Sequence, residues 1–104
     1  MKVIAIGNSA SNSLTYGKSY EVIGIEADNF RIVNDLNDPC LYEASDFEIS
    51  DPKEPLFWVS SFGEEGERYA YPDSWNSPGF FEDFHNHIES VVTQFWKEYK
   101  QLYG

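Results

Sequence analysis

A predicted β-hairpin decides the fold of this chain: Tyr-Glu-Val-Ile-Gly-Ile at residues 20–25, the turn Ala-Asp-Asn at 27–29, and Phe-Arg-Ile-Val at 30–33. Both arms are rich in β-branched and aromatic residues, and such runs between turn residues are typical of strands. Gly24 within the first arm indicates a bend or a bulge. The stretch therefore predicts two strands of a small antiparallel sheet.

Further strands are predicted on both sides of this hairpin, at residues 3–6, 40–43, 56–62 and 68–71. The small polar residues at 7–13 predict a loop. Residues 45–55 hold four acids and two prolines and are predicted to form an exposed acidic connection. Residues 63–67, Gly-Glu-Glu-Gly-Glu, predict an acidic hairpin loop between the last two strands.

The C-terminal part of the chain is predicted to be helical. Ser77 is the expected cap and Pro78 the first helical residue, because the N–H that proline lacks would be unpaired there. A break is expected at residues 85–87, giving a short helix and then a long one. Apolar residues recur at helical spacing at Phe81, Phe84, Ile88, Val91, Phe95 and Leu102.

These elements predict an α+β fold in a single domain, residues 1–104, that is β-rich over 1–72 and helical over 77–103. The expected architecture is a small antiparallel sheet or barrel with the C-terminal helix packed on it.

The charge of the chain disfavours several classes of partner. Its 104 residues carry 18 acidic and 7 basic side chains, a formal net charge of -11 at pH 7. Such a surface repels phosphates, so direct binding to nucleic acid or to an anionic membrane is disfavoured. Between Glu21 and Glu89 there are 17 acids against 3 bases. This excess favours a basic protein partner, and the competing interpretation is an acidic surface that only maintains solubility.

Residues capable of catalysis or metal binding do not form a recognisable pattern. His85 and His87 are spaced i, i+2, whereas two ligands on one helix face need a spacing of three or four. Cys40 follows Asp-Pro at a predicted strand start, where nothing lowers the pKa of its thiol. We predict a protein that is not an enzyme and has no metal or cofactor. An enzyme with a metal at the two histidines is the less favoured alternative.

The acids are interleaved with aromatic residues, as at interfaces where aromatic anchors lie within a polar surround. Tyr42 and Trp75 are the predicted anchors. The predicted partner-binding residues are Asp35, Asp38, Tyr42, Glu43, Asp46, Glu48, Asp51, Glu54, Glu64, Glu65, Glu67, Asp73 and Trp75.

Residues 14–49 resemble a small bacterial and phage Src-homology-3-like barrel. The resemblance is carried by Leu-Thr-x-Gly-Lys-x-Tyr-x-Val from Leu14, Phe-x-Ile-x-Asn-Asp from Phe30, Pro-Cys-x-Tyr from Pro39 and the closing Asp-Phe at 46–47. It covers about a third of the chain and implies a fold rather than a function, because this barrel hosts many unrelated roles.

The whole chain, short, acidic and without a catalytic motif, is also similar to the immunity proteins of bacterial contact-dependent growth inhibition systems. That resemblance implies a cognate toxin domain as partner, a basic RNase or DNase whose active-site cleft the immunity protein occludes. It rests on size, charge and organisation, and it implies no individual site residues. A peptide-binding adaptor of the Src-homology-3-like type and a phage-type acidic mimic of nucleic acid are the alternatives.

The expected location is the cytoplasm. Residues 1–7 carry an apolar run too short for the core of a secretory signal peptide. The single Cys40 cannot form an internal disulfide, which disfavours a disulfide-stapled secreted scaffold.

Overall fold

Among the residues that this computed structural model describes, 1–7 and 13–104, seven β-strands come first along the chain and two α-helices follow. The chain divides into two compact units, Met1–Pro72 and Asp73–Gly104. The strands are β1 (Lys2–Ala5), β2 (Ser19–Glu26), β3 (Asn29–Val33), β4 (Pro39–Glu43), β5 (Phe47–Asp51), β6 (Trp58–Phe62) and β7 (Arg68–Pro72). The helices are α1 (Phe80–His85) and α2 (Glu89–Tyr103), and short 3₁₀ helices lie at Ala44–Asp46 and Asp73–Trp75.

β2 is the central strand of the sheet. One of its edges pairs with β1 and then β7, and the other edge pairs with β3. The path β4-β3-β2-β1-β5 crosses the sheet, and β6 lies outside β7. Within the described residues β4 and β5, the two ends of that path, do not pair with each other. The sheet is therefore open rather than a closed barrel, and the predicted α+β class with a small antiparallel sheet is confirmed.

The predicted irregularity at Gly24 is confirmed as well. The register between β2 and β3 shifts between Val22 and Gly24. A Cβ at position 24 would overlap the ring of Tyr71. The side chain of Tyr71, on β7, thus lies directly on the backbone of β2, and glycine is required at position 24 for that close approach.

The core of the first unit is built from alternate residues of its strands. Val3 and Ala5 of β1 are fully buried. The rings of Phe30 and Tyr42 contact that of Phe47 at centroid distances of 6.1 and 6.3 Å. Alternation of this kind places every second side chain on the buried face of a sheet.

The predicted acidic connection at residues 45–55 is wrong in its first half, which forms β5. Phe47 is buried and lies opposite Ala5, and Ile49 lies opposite Val3. Acids flank these two apolar residues, so the composition of the segment is typical of an exposed loop even though apolar residues alternate in it. The other predicted strands are confirmed, with ends shifted by one or two residues.

Aromatic rings form the core of the second unit. Trp75 is 2% exposed and Phe95 is fully buried, and their ring centroids are 4.7 Å apart. Phe95, Tyr99 and Tyr103 form a stacked row along α2, with centroids 5.9 and 5.7 Å apart. Four-residue spacing places these three rings on one side of the helix.

The break between two helices is confirmed, but the predicted start of the first helix is wrong. α1 begins at Phe80, after Gly79 with a φ of 76°. The N–H of Phe80 donates to the carbonyl of Ser77 at 3.1 Å, so Ser77 and Pro78 belong to a turn. The predicted apolar face is also wrong at its margins, because Ile88 and Leu102 are 46% and 38% exposed.

The predicted loop at 7–13 falls largely on residues 8–12, which lie outside the described residues. The single-domain organisation stays a prediction. Neither α1 nor α2, the helices of the described residues, has the length and apolar character needed to cross a membrane.

Candidate functional site

Three turns meet at one end of the sheet in the first unit, and each carries carboxylates. The N–H of Ala27 donates to the carbonyl of Arg68 at 2.8 Å, which places the β2–β3 turn beside the β6–β7 turn. β4 ends here too, with Glu43 opposite Asn29. The surface termed here the acidic end consists of Asp28, Glu43, Glu64, Glu65 and Glu67.

The β6–β7 turn presents most of these carboxylates. Glu64 and Glu65 are exposed at its tip. The carboxylate of Glu67 folds back and accepts the N–H of Glu65 at 3.1 Å, and the N–H of Gly63 donates to the carbonyl of Glu67 at 2.8 Å. Gly66 has a φ of 82°, a conformation that favours glycine. The turn is thus held by its own backbone, and the two acids at its tip remain exposed.

An ion pair braces the stem below this tip. Arg68 binds Glu54 with two parallel bonds of 2.8 and 2.6 Å and also donates to the Ser60 hydroxyl at 3.0 Å. The hydrogen bond from Arg68 holds the pKa of Glu54 below its ordinary value. Paired, forked geometry of this kind fixes orientation as well as charge. Glu54, a predicted partner-binding residue, therefore serves the fold of the hairpin.

A cleft of about 610 Å³ lies at the same end, between the β2–β3 turn and the end of β4. Its lining is Asp28, Asn29, Glu43, Ala44 and Ser45. The N–H of Ala44 donates to the carbonyl of Asp28 at 2.9 Å, which ties the two walls together. Asp28 was not among the predicted residues. Its position in a turn gave no sign that it would lie beside Glu43, because that proximity depends on the β3–β4 register.

A buried network lies below the acidic end. The Nε of Arg31 donates to the Tyr71 hydroxyl at 2.7 Å, one terminal nitrogen donates to the Pro39 carbonyl at 2.7 Å, and the other binds Glu26 at 2.9 Å. The hydroxyl of Tyr71 also donates to Glu26. Burial is the main cause that raises the pKa of Tyr71, so it remains protonated at neutral pH. The network joins β2, β3, β4 and β7.

Two nearby cations are therefore already paired. Arg31 binds Glu26, and Arg68 binds Glu54. The side-chain carboxylates of Glu43, Glu64 and Glu65 have no hydrogen-bond or ion-pair partner within residues 1–7 and 13–104. Grouped carboxylates whose neighbouring cations are paired with other acids produce a negative field that attracts basic molecules.

At the opposite end of the sheet, the carboxylate of Asp35 is hydrogen-bonded within the first unit. Asp35 accepts hydrogen bonds from the Thr15 hydroxyl at 2.6 Å, from Lys18 at 2.8 Å and from the Tyr20 hydroxyl at 2.9 Å. These bonds, that from Lys18 first, lower the pKa of Asp35 to about 2. Asp35 therefore fastens the β3–β4 turn to the start of β2. Asp38, in the same turn, is half-buried.

The remaining predicted acids are dispersed. Glu48 and Asp51 are exposed on β5, where Asp51 lies opposite Lys2 and accepts the N–H of Lys53 at 3.0 Å. Asp46 is half-buried, and its carbonyl accepts the N–H of Ile6 at 3.0 Å. Asp73 is exposed, in the second unit.

The two predicted aromatic anchors are buried in their own units, so neither is an exposed ring. Tyr42 is 8% exposed, and its hydroxyl accepts from Asn34 at 3.1 Å. Trp75 donates its indole N–H to Glu98 at 3.1 Å. By contrast, Phe62, which directly precedes the acidic turn, is 68% exposed. Sequence reasoning missed Phe62 because its run of apolar neighbours is typical of a buried strand.

The residues considered for chemistry belong to different units, Cys40 to the first and the two histidines to the second. His85 and His87 are exposed, one at the end of α1 and one just beyond it. Burial raises the pKa of the Cys40 thiol, which disfavours the nucleophilic thiolate. No cluster of three or more histidine, cysteine or acidic side chains in the described part of the chain has the arrangement of a metal site.

Comparison with known proteins finds no matching family model, no matching curated protein and no matching solved structure. The resemblances to a Src-homology-3-like barrel and to immunity proteins stay predictions.

Proposed function

We propose that this chain is an immunity-type inhibitor that binds a basic toxin domain, an RNase or a DNase, through the acidic end. The observation that supports this proposal is the grouping of Asp28, Glu43, Glu64 and Glu65 at one end of the sheet, where the nearby arginines are already paired. A nuclease cleft is cationic because it must hold phosphates. Carboxylates that enter such a cleft compete with the substrate for the same side chains.

The β6–β7 turn is suited to enter a cleft. It is narrow, its stem is braced by Arg68 and Glu54, and its backbone bonds fix its shape. A preformed turn loses little conformational freedom on binding. Phe62 supplies exposed apolar surface next to the charges, and an aromatic residue beside charged groups is a common anchor of interfaces. Inhibition then follows from occlusion and needs no catalytic residue or cofactor.

The test begins with the partner. The immobilised chain is used to capture its partner from the native host, the captured protein is identified, and its RNase and DNase activities are measured with and without added inhibitor. We expect loss of nuclease activity at equimolar inhibitor, and an affinity that falls steeply between about 50 and 500 mM NaCl. A captured protein without nuclease activity, or binding indifferent to salt, would overturn the proposal.

The acidic end is then tested by charge reversal with a matched control. Glu64→Lys/Glu65→Lys is expected to slow association with the toxin by roughly tenfold or more, because the attraction is replaced by repulsion. Glu82→Lys/Asp83→Lys makes the same change of charge on exposed residues of α1, in the other unit. Equal effects of the two double variants would mean that net charge alone is responsible.

A further inference from the structure

The outer edge of β5 has no strand partner in the part of the chain that the structure describes. β5 is the last strand of the path β4-β3-β2-β1-β5, and β1 is its neighbour on the inner side. Within residues 1–7 and 13–104 no strand pairs with its outer side. The side chains from Glu48 to Asp51 are exposed in succession, which is unusual for a strand that one layer of structure covers.

The pairing with β1 determines which backbone groups of β5 point outward. The N–H of Ile6 donates to the carbonyl of Asp46 at 3.0 Å, and the same register pairs Ile4 with Glu48. In an antiparallel pair the bonded rungs alternate along the strand. The N–H and C=O of Glu48 therefore face β1, whereas those of Ile49 face the open edge.

The side chains of β5 discourage pairing with a second copy of the chain. Glu48 and Asp51 are exposed, and Ile49 between them is 50% exposed. Two β5 strands side by side would bring four carboxylates into one short ladder, and like charges across a ladder are destabilising. Natural edge strands are often protected by lysine or proline, and β5, Phe-Glu-Ile-Ser-Asp, contains neither. The charges on β5 therefore disfavour pairing with the β5 of a second copy, but they do not disfavour pairing with a basic strand.

We propose that the outer edge of β5 binds an extended basic segment of a partner protein by strand addition. The partner residue opposite Ile49 is apolar and exchanges two backbone hydrogen bonds with it. The partner residues on either side of that position are lysine or arginine. Their side chains point to the face of the sheet that carries Glu48 rather than Ile49, and one of them lies opposite Glu48. The inference rests on the proposed function only for the basic character of the partner, and it adds a second contact surface.

The test uses a defined probe, a short capped peptide in which lysine alternates with valine, and an analogue in which glutamate replaces lysine. Amide hydrogen exchange of the ¹⁵N-labelled full chain is followed by NMR. Because the N–H of Ile49 points outward, we expect it to exchange rapidly in the free chain and to be protected at least tenfold at saturating lysine peptide. The glutamate peptide is expected to give no protection.

Two substitutions test the surface. Ile49→Pro removes the outward N–H while leaving the bonds of Glu48 to β1, a position at which an edge strand tolerates proline, and it is expected to abolish binding. Glu48→Lys keeps the backbone and reverses one charge, so it is expected to weaken peptide binding by roughly tenfold. Glu43→Lys makes the same reversal at the acidic end and is expected to leave Ile49 protection unchanged.

The outcomes separate this inference from the proposed function. If the lysine peptide leaves Ile49 exchange unchanged, or if Glu43→Lys and Glu48→Lys weaken binding equally, strand addition at β5 is wrong even if a toxin is inhibited. Protection of Ile49 that is lost in Glu48→Lys supports strand addition even if no nuclease is captured. Should Ile49→Pro fail to fold, the comparison of the two lysine variants still decides.

Discussion

The two ends of the sheet in the first unit both carry carboxylates, yet they use them differently. At one end, Asp35 accepts hydrogen bonds from Thr15, Lys18 and Tyr20. At the acidic end, Glu64 and Glu65 accept none from the described residues. The same type of side chain thus fastens the fold at one end and faces solvent at the other. The difference depends on which donors the strand register brings near.

The arginines of the first unit sharpen this contrast. Arg31 and Arg68 lie close to the acidic end, but each is engaged with a different carboxylate, Glu26 and Glu54. Both are thereby used to hold strands together rather than to neutralise the exposed acids. The acidic end consequently combines a rigid base with an unbalanced charge, which is the combination that a preorganised binding surface needs.

The largest effect is expected from the buried network under the acidic end. Arg31→Met removes the cation that binds the Glu26 carboxylate and donates to the Tyr71 hydroxyl, and we expect a loss of about 3 kcal/mol in the free energy of unfolding. Urea denaturation at neutral pH measures it. Arg68→Met is the control, because its ion pair is about one third exposed and is expected to contribute about 1 kcal/mol or less. Equal losses would contradict the distinction between the two arginines.

A somewhat smaller effect is expected at the contact between β2 and β7. Gly24→Ala places a methyl group in the space of the Tyr71 ring, and overpacking of this kind costs about 1–3 kcal/mol. Urea denaturation again gives the value. The double variant Gly24→Ala/Tyr71→Leu removes the overlapping ring atoms, so the two changes should be strongly non-additive. Simple additivity would mean that the glycine is needed for another reason.

The end of the sheet that Asp35 holds together is expected to show this role in the pH dependence of stability. Asp35 has a pKa lowered to about 2 from its ordinary value of 3.8, so its contribution is present above about pH 4 and is lost as the pH falls toward 2. Asp35→Asn should therefore lower the urea midpoint at pH 6, and the gap to the original chain should narrow between pH 4 and 2. Asp38→Asn, in the same turn, is the control, and a similar gap there would contradict the assignment.

The smallest effect on stability is expected at the tip of the acidic end. Glu64→Lys/Glu65→Lys should change the free energy of unfolding by no more than about 0.5 kcal/mol, because neither side chain has a partner to lose within the described residues. Thermal and urea unfolding provide the measurement. A large loss would show that these acids hold the turn, and the contrast between the two ends would fail.

Much of the fold could be predicted from local patterns, and the exceptions have physical causes. β2 and β3 are runs of strand-forming residues with a turn between them, so both could be predicted without knowledge of their remote partners. β5 was missed because its two apolar residues, Phe47 and Ile49, are separated and flanked by acids. The start of α1 was misplaced because Ser77 and Pro78 suit a turn as well as a cap, and Gly79 with its positive φ determines which one forms.

The sequence could predict that the candidate site is acidic, but not which residues belong to it. The sequence indicates a strongly acidic chain with a hairpin loop at residues 63–67, and two of the exposed acids, Glu64 and Glu65, lie in that loop. It could not separate Asp35 and Glu54, which have internal partners, from Glu43 and Glu64, which do not. It also placed anchors at Tyr42 and Trp75, because large rings suit a core and an interface equally well.

What the sequence alone determined is therefore the class of the protein: a small, acidic α+β chain whose local patterns specify most of its strands and the division of its helical part. Only the tertiary structure decided which carboxylates remain exposed, that no strand of the described residues pairs with the outer edge of β5, and that Phe62 is exposed whereas Tyr42 is buried. The physical reason is that periodicity and charge are properties of neighbouring residues. Pairing of a carboxylate or burial of a ring depends on residues that lie tens of positions away along the chain and meet only through the strand register.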